Sequence, residues 1–115
     1  MVRDLDYRKM RAYALGREFY EVVVQHARAS GWRDRALTDQ LMRASSSICL
    51  NIAEGAGEYS RAEKNRFFRI ARRSAWECSA SVDLISVATR APHLVEAARK
   101  LDQISALLTT MILRE

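Results

Sequence analysis

The sequence is poor in chain breakers, with one proline and four glycines among 115 residues. A β-rich fold needs frequent turns, so this scarcity excludes a many-turned sandwich or barrel and favours long helices. Cysteine is almost as scarce. Cys49 and Cys78 stand far apart within helical patterns, with no second sulfur near either. A metal centre or redox motif needs clustered ligands, so the expectation is two reduced, buried thiols in a cytosolic protein. No run approaches the ~20 apolar residues that cross a bilayer. The segment from Met1 to Met10 is charged and lacks the apolar stretch of a signal peptide. A soluble, cytoplasmic protein without membrane association is therefore expected.

What is present is an ordinary globular balance, 49% hydrophobic and 29% charged, unlike a disordered chain. The length suits one domain over residues 1–115, able to bury a core without disulfides or metals. The net charge of +5 admits an anionic partner without requiring one.

Hydrophobic spacing of three and four marks the helices. The first is expected from about Tyr7 to Ala29, with Ala12, Leu15, Phe19, Val22 and His26 inside. Val23 and Val24 widen that stripe, and Tyr13 and Tyr20 sit on a neighbouring face. Ser30-Gly31 ends it, glycine being the usual left-handed stop. After a polar connection from Trp32 to Leu37, Thr38 serves as the expected N-cap of a second helix, with Leu37 and Met42 placed for a hydrophobic staple. The buried stripe of that helix reads Leu37, Leu41, Ala44, Ile48 and Ile52, and the helix ends at Gly55 and Gly57. Ser60 to Glu63 forms a capping box for a third helix reaching about Thr89, with Phe67, Ile70, Ala71, Ser74, Cys78, Val82 and Ile85 on its inner face. Ala91-Pro92 breaks the chain, and Pro92 fits the first position of a fourth helix. There Leu94, Leu101 and Leu108 recur every seven residues, the seam of left-handed helix packing. The expected fold is all-α, an antiparallel up-down four-helix bundle.

Part of the second and third helices carries more than helix grammar. Gln40, Arg43-Ala44, Ser47-Ile48, Asn51-Ile52-Ala53-Glu54-Gly55 and Arg66-Phe67 resemble the diagnostic words of a bacterial four-helix-bundle family first met in intervening sequences of large-subunit ribosomal RNA genes. The accessory variability determinant of diversity-generating retroelements is a relative of that family. The resemblance covers about 40 residues by motif and the flanking helices by length and pattern. It implies a homo-oligomer, typically a ring of five bundles. For the retroelement relatives it also implies a basic surface that engages RNA or DNA and a reverse transcriptase.

Two sets of polar residues are candidates for function. Gln40, Arg43, Ser47, Asn51 and Glu54 fall at intervals of three and four, forming one polar stripe beside the apolar stripe of the second helix. It reads as a polar network at a helix or subunit contact, as a solvated face, or as a ligand site. The second set is Arg61, Lys64, Arg66, Arg69, Arg72 and Arg73, opposed only by Glu63. Guanidinium groups pair bidentately with phosphate and stack on bases, which makes this the nucleic-acid candidate of the chain. Arg3, Arg8, Lys9 and Arg11 could add a second patch. The rival reading is a solvated face whose arginines pair with acidic groups of a neighbouring subunit.

Catalytic constellations are missing. His26 lies on an apolar stripe and His93 opens a helix. Gly55-Ala56-Gly57 lacks the lysine and hydroxyl of a phosphate loop, and no Glu-x-x-His pair offers a bundle metal site. No cofactor and no metal are expected. The sequence reads as a non-catalytic oligomeric bundle that binds nucleic acid as an accessory or scaffold protein. The alternative is an assembly module that binds no nucleic acid.

Overall fold

The computed structural model describes residues 6–113. A 3-10 turn at Asp6–Lys9 leads into α1 (Arg11–Ala29), followed by α2 (Arg35–Ala56), α3 (Arg61–Thr89), α4 (Pro92–Ala97) and α5 (Arg99–Leu113), and no strand occurs among the described residues. Helices α4 and α5 form one limb, so the chain makes four limbs in an up-down bundle of 46 × 25 × 20 Å. Cross-helix bonds fix the directions. Gln40 meets Glu77 while Ser47 meets Ser74, and Arg72 meets Thr109 while Trp76 meets Ser105. Both sets are those of antiparallel neighbours.

The core is the set of inward stripes brought together. Phe19, Leu41, Ile48, Ile52, Ile85, Leu94, Ile104 and Leu108 are fully buried, each stabilising the fold by roughly 1.5–3 kcal/mol relative to exposure. Leu94, Leu101 and Leu108, the seven-residue seam, all face inward. Close approach of helices relies on small residues. A Cβ on Gly16 would stand 3.1 Å from Cys49 Sγ, so α1 and α2 meet where one side chain is missing.

Several local expectations are corrected. α1 starts at Arg11, not Tyr7, because the preceding residues wind as a 3-10 turn. Val23 takes the fully buried place that the spacing gave to Val22, which is half-buried. Gly31 is not a left-handed stop, since no glycine has positive φ among the described residues. Ser30, extended at φ −71° and ψ 141°, ends α1 instead. Thr38 is not the N-cap of α2. That role falls to Asp34, one turn earlier, and Thr38 is a buried residue inside the helix whose hydroxyl donates to Asp34 at 3.2 Å. Leu37 and Met42 pack against the core from within α2 rather than as a staple across its start.

In α3, Ser60 caps the first turn by accepting from the Glu63 amide at 3.1 Å. The second half of the capping box does not form, and the Glu63 carboxylate accepts from Arg66 instead. The inner face is turned by one residue at its start. Phe68 is in the core, while Phe67 and Ile70 are half-buried. After α3 the left-handed conformations fall on Arg90 (φ 74°) and Ala91 (φ 38°). Pro92 then opens α4, as expected, and a turn at Ala98 separates α4 from α5.

Candidate nucleic-acid interface

The antiparallel course sets the N-terminal ends of α1 and α3 at one end of the bundle. Both are basic. In α3 the intervals of three and four align Arg66, Arg69 and Arg73 on one exposed line, with Arg61 also exposed. Lys64 and Arg72 are half-buried, and the fold uses both. Lys64 Nζ donates to the carbonyls of Gly55 (3.4 Å) and Ala56 (3.2 Å), a cation on the carbonyl end of α2, where the helix dipole favours it. Arg72 Nε donates to Thr109 Oγ1 at 2.8 Å and its guanidinium lies 5.6 Å from the centre of the Trp76 ring.

The remaining four arginines differ in how free they are. Arg66 bonds Glu63 at 3.2 Å and stacks over Phe67 at 4.4 Å. The Arg66–Glu63 pair is exposed, so it holds weakly and can be exchanged. Arg61, Arg69 and Arg73 make no hydrogen bond or ion pair among the described residues. Three unpaired guanidinium groups and a fourth loosely held one, beside a single glutamate, form a surface of positive potential open to phosphate oxygens. At the α1 end, Arg8 lies over Tyr7 at 5.6 Å and Arg11 donates to Gln103 at 3.4 Å. Arg3 lies outside the described residues.

The polar stripe of α2 divides. Ser47 and the buried Ser74 share a hydrogen bond of 2.9 Å, and Asn51 Nδ2 donates to the Ser47 carbonyl and hydroxyl at 2.9 and 3.0 Å. Gln40 Nε2 donates to Glu77 at 3.2 Å. Ser47 and Gln40 tie α2 to α3, and Asn51 braces Ser47 from within α2. Arg43 and Glu54 do not join them. Both are exposed and unpartnered among the described residues.

The residue that sequence reasoning missed is Asp34. Its carboxylate, buried with the His26 ring, lies 2.8 Å from His26 Nε2 and accepts from Ser30 Oγ at 2.7 Å and Thr38 Oγ1 at 3.2 Å. Burial pushes the Asp34 carboxyl up, but hydrogen bonds from Ser30, His26 and Thr38 outweigh it and hold it below its usual value. The only sequence signal was the placement of Asp34 four residues before Thr38. His93 is exposed, its ring centre 5.4 Å from that of His26. With three protein groups around it, the buried carboxylate serves as a latch between α1 and α2. Cys49 and Cys78 are free and buried, burial pushing the Cys49 thiol up to about 11 and the Cys78 thiol up as well. Neither is a thiolate near neutral pH. Among the described residues no three His, Cys, Asp or Glu side chains come together to hold a metal, and no helix is long and apolar enough to cross a membrane.

The family model described as 23S rRNA-intervening sequence protein matches residues 6–110, from the 3-10 turn into α5. No curated protein matches the chain.

Proposed function

The chain belongs to the 23S rRNA-intervening sequence protein family, and from that premise we propose that it is a non-catalytic, homo-oligomeric bundle that binds RNA or DNA through the arginine line of α3, as an accessory or scaffold protein. The observation that carries this reading is selective engagement. The fold ties down Lys64 and Arg72 and leaves Arg61, Arg69 and Arg73 exposed and unpaired. Like charges along one helix are unfavourable unless something offsets them, and phosphate is the ligand that guanidinium groups fit. Oligomerisation, with five copies in a ring as the family resemblance implies, is supported by exposed Leu50, Leu84 and Val87 on α2 and α3, since large exposed apolar groups mark contact surfaces.

The test is titration of labelled single-stranded and duplex RNA and DNA across a salt series. Binding that weakens linearly in log–log form as salt rises supports the reading. Absence of binding at low salt contradicts it. A second reading is favoured by Arg43 and Glu54, which flank Leu50 on the exposed face of α2 with opposite charges and no partners. That set is self-complementary and suits a contact between copies, in which the protein serves assembly alone.

A further inference from the structure

The line of exposed arginines does not end in solvent. At about 1.5 Å per residue, Trp76 stands about 15 Å beyond Arg66 on the same side of α3, and 62% of it is exposed. An indole this exposed normally samples several rotamers, yet this one is held. Its Nε1 donates to Ser105 Oγ on α5 at 3.1 Å, and the Arg72 guanidinium, itself fixed by Thr109, lies 5.6 Å from the ring centre. Beside the ring, α3 and α5 part into an open groove of about 650 Å³. Its walls carry small residues such as Ala80 and Ala106, and two carboxylates, Asp83 and Asp102, that accept no hydrogen bond among the described residues.

We propose that this is a base-stacking site, so that the nucleic acid bound by α3 is single-stranded. The inference rests on the reading that the arginine line binds nucleic acid, and it names the strand form. Phosphates follow Arg66, Arg69 and Arg73. An unpaired base at the end of that track stacks on Trp76, with its edge in the groove. Three observations converge on this occupant. A pinned aromatic plate accepts any base face at low entropic cost. The groove's free carboxylates repel phosphate but accept from base amino and imino groups, so the backbone stays on the arginine side and the base turns inward. The small wall residues leave space for a planar ring. A duplex keeps its bases stacked on one another and cannot use the plate.

The experiment compares Trp76→Ala, Trp76→Phe and the parent protein, using an oligouridylate strand and an RNA duplex of equal length. Size is measured by light scattering on the same samples. The expected result is tighter binding of the single strand by the parent. Trp76→Ala then loses roughly tenfold on the single strand and nothing on the duplex, and Trp76→Phe recovers most of the loss. In protein carrying Trp32→Phe, Trp76 fluorescence is quenched by the single strand only. Equal loss on both ligands, or no loss, overturns the stacking site while leaving the arginine reading intact. Breakdown of the assembly by Trp76→Ala overturns it in favour of a contact between copies. Failure of the parent to bind either ligand overturns the arginine reading, and this site with it.

Discussion

The Phe68 ring occupies the space where a side chain at position 55 would stand: a Cβ on Gly55 would come within 2.5 Å of Phe68 Cε1 and 3.2 Å of the Lys64 carbonyl. The last turn of α2 and the first turns of α3 can therefore close on each other only with glycine there. The closure also places Lys64 on the carbonyls that end α2. It thus fixes the starting point of α3, from which the arginine line is laid out.

Gly55→Ala should destabilise the bundle by about 1–3 kcal/mol, the usual cost of overpacking, despite alanine's better helix propensity. Chemical denaturation read by circular dichroism measures it. A neutral or stabilising result would mean that the Phe68 ring moves aside freely.

The Asp34 latch predicts an acid sensitivity. The Asp34 carboxyl is held below its usual value in the folded protein, so its contribution is present above the unfolded pKa of about 4. That contribution is lost as pH falls through the folded pKa. Asp34→Asn should lower stability at neutral pH by about 1–3 kcal/mol, by disturbing a buried hydrogen-bonded cluster. It should also flatten the loss of stability below about pH 4. Denaturation midpoints across a pH series decide it, and parallel curves for the two proteins would reject the latch.

Arg90 has φ 74° and ψ −56°, a conformation that costs a non-glycine residue about 1–2 kcal/mol. Glycine removes that strain and adds about 0.5–1 kcal/mol of unfolded-state entropy. Arg90→Gly should therefore stabilise the protein slightly, by up to about 1 kcal/mol. Thermal melts would show a small rise. A clear drop would mean that the Arg90 side chain holds the corner between α3 and α4.

Much of this architecture was legible because it is periodic. The seven-residue leucines, the Ser60 cap and the break at Pro92 each follow from local chemistry and hold in the structure. What was not legible depended on distant partners. Phe67 and Phe68 are adjacent aromatics, and only the space left by Gly55 decides that Phe68 enters the core. Asp34 is the N-cap without a side-chain cap bond, and its carboxylate turns to the His26 ring on the preceding helix, a partner that local spacing does not reveal. The same holds at the candidate site. Spacing alone aligns Arg66, Arg69 and Arg73, but that Lys64 and Arg72 are engaged follows from Gly55, Ala56 and Thr109. The groove beside Trp76 exists only once α5 lies against α3.

The most direct test of the central claim is the salt dependence of nucleic-acid binding for the parent and for the Arg66→Ala, Arg69→Ala, Arg73→Ala triple variant, with oligomer size measured on the same samples. These side chains are exposed and lie outside the core, so helicity and assembly should persist. Affinity should fall alike for all sequences, because binding to phosphate carries no sequence information. The log–log slope should become shallower by roughly 0.7–0.9 for each phosphate that is no longer neutralised. A variant that keeps its assembly and binds with the parent's affinity and slope would contradict the account.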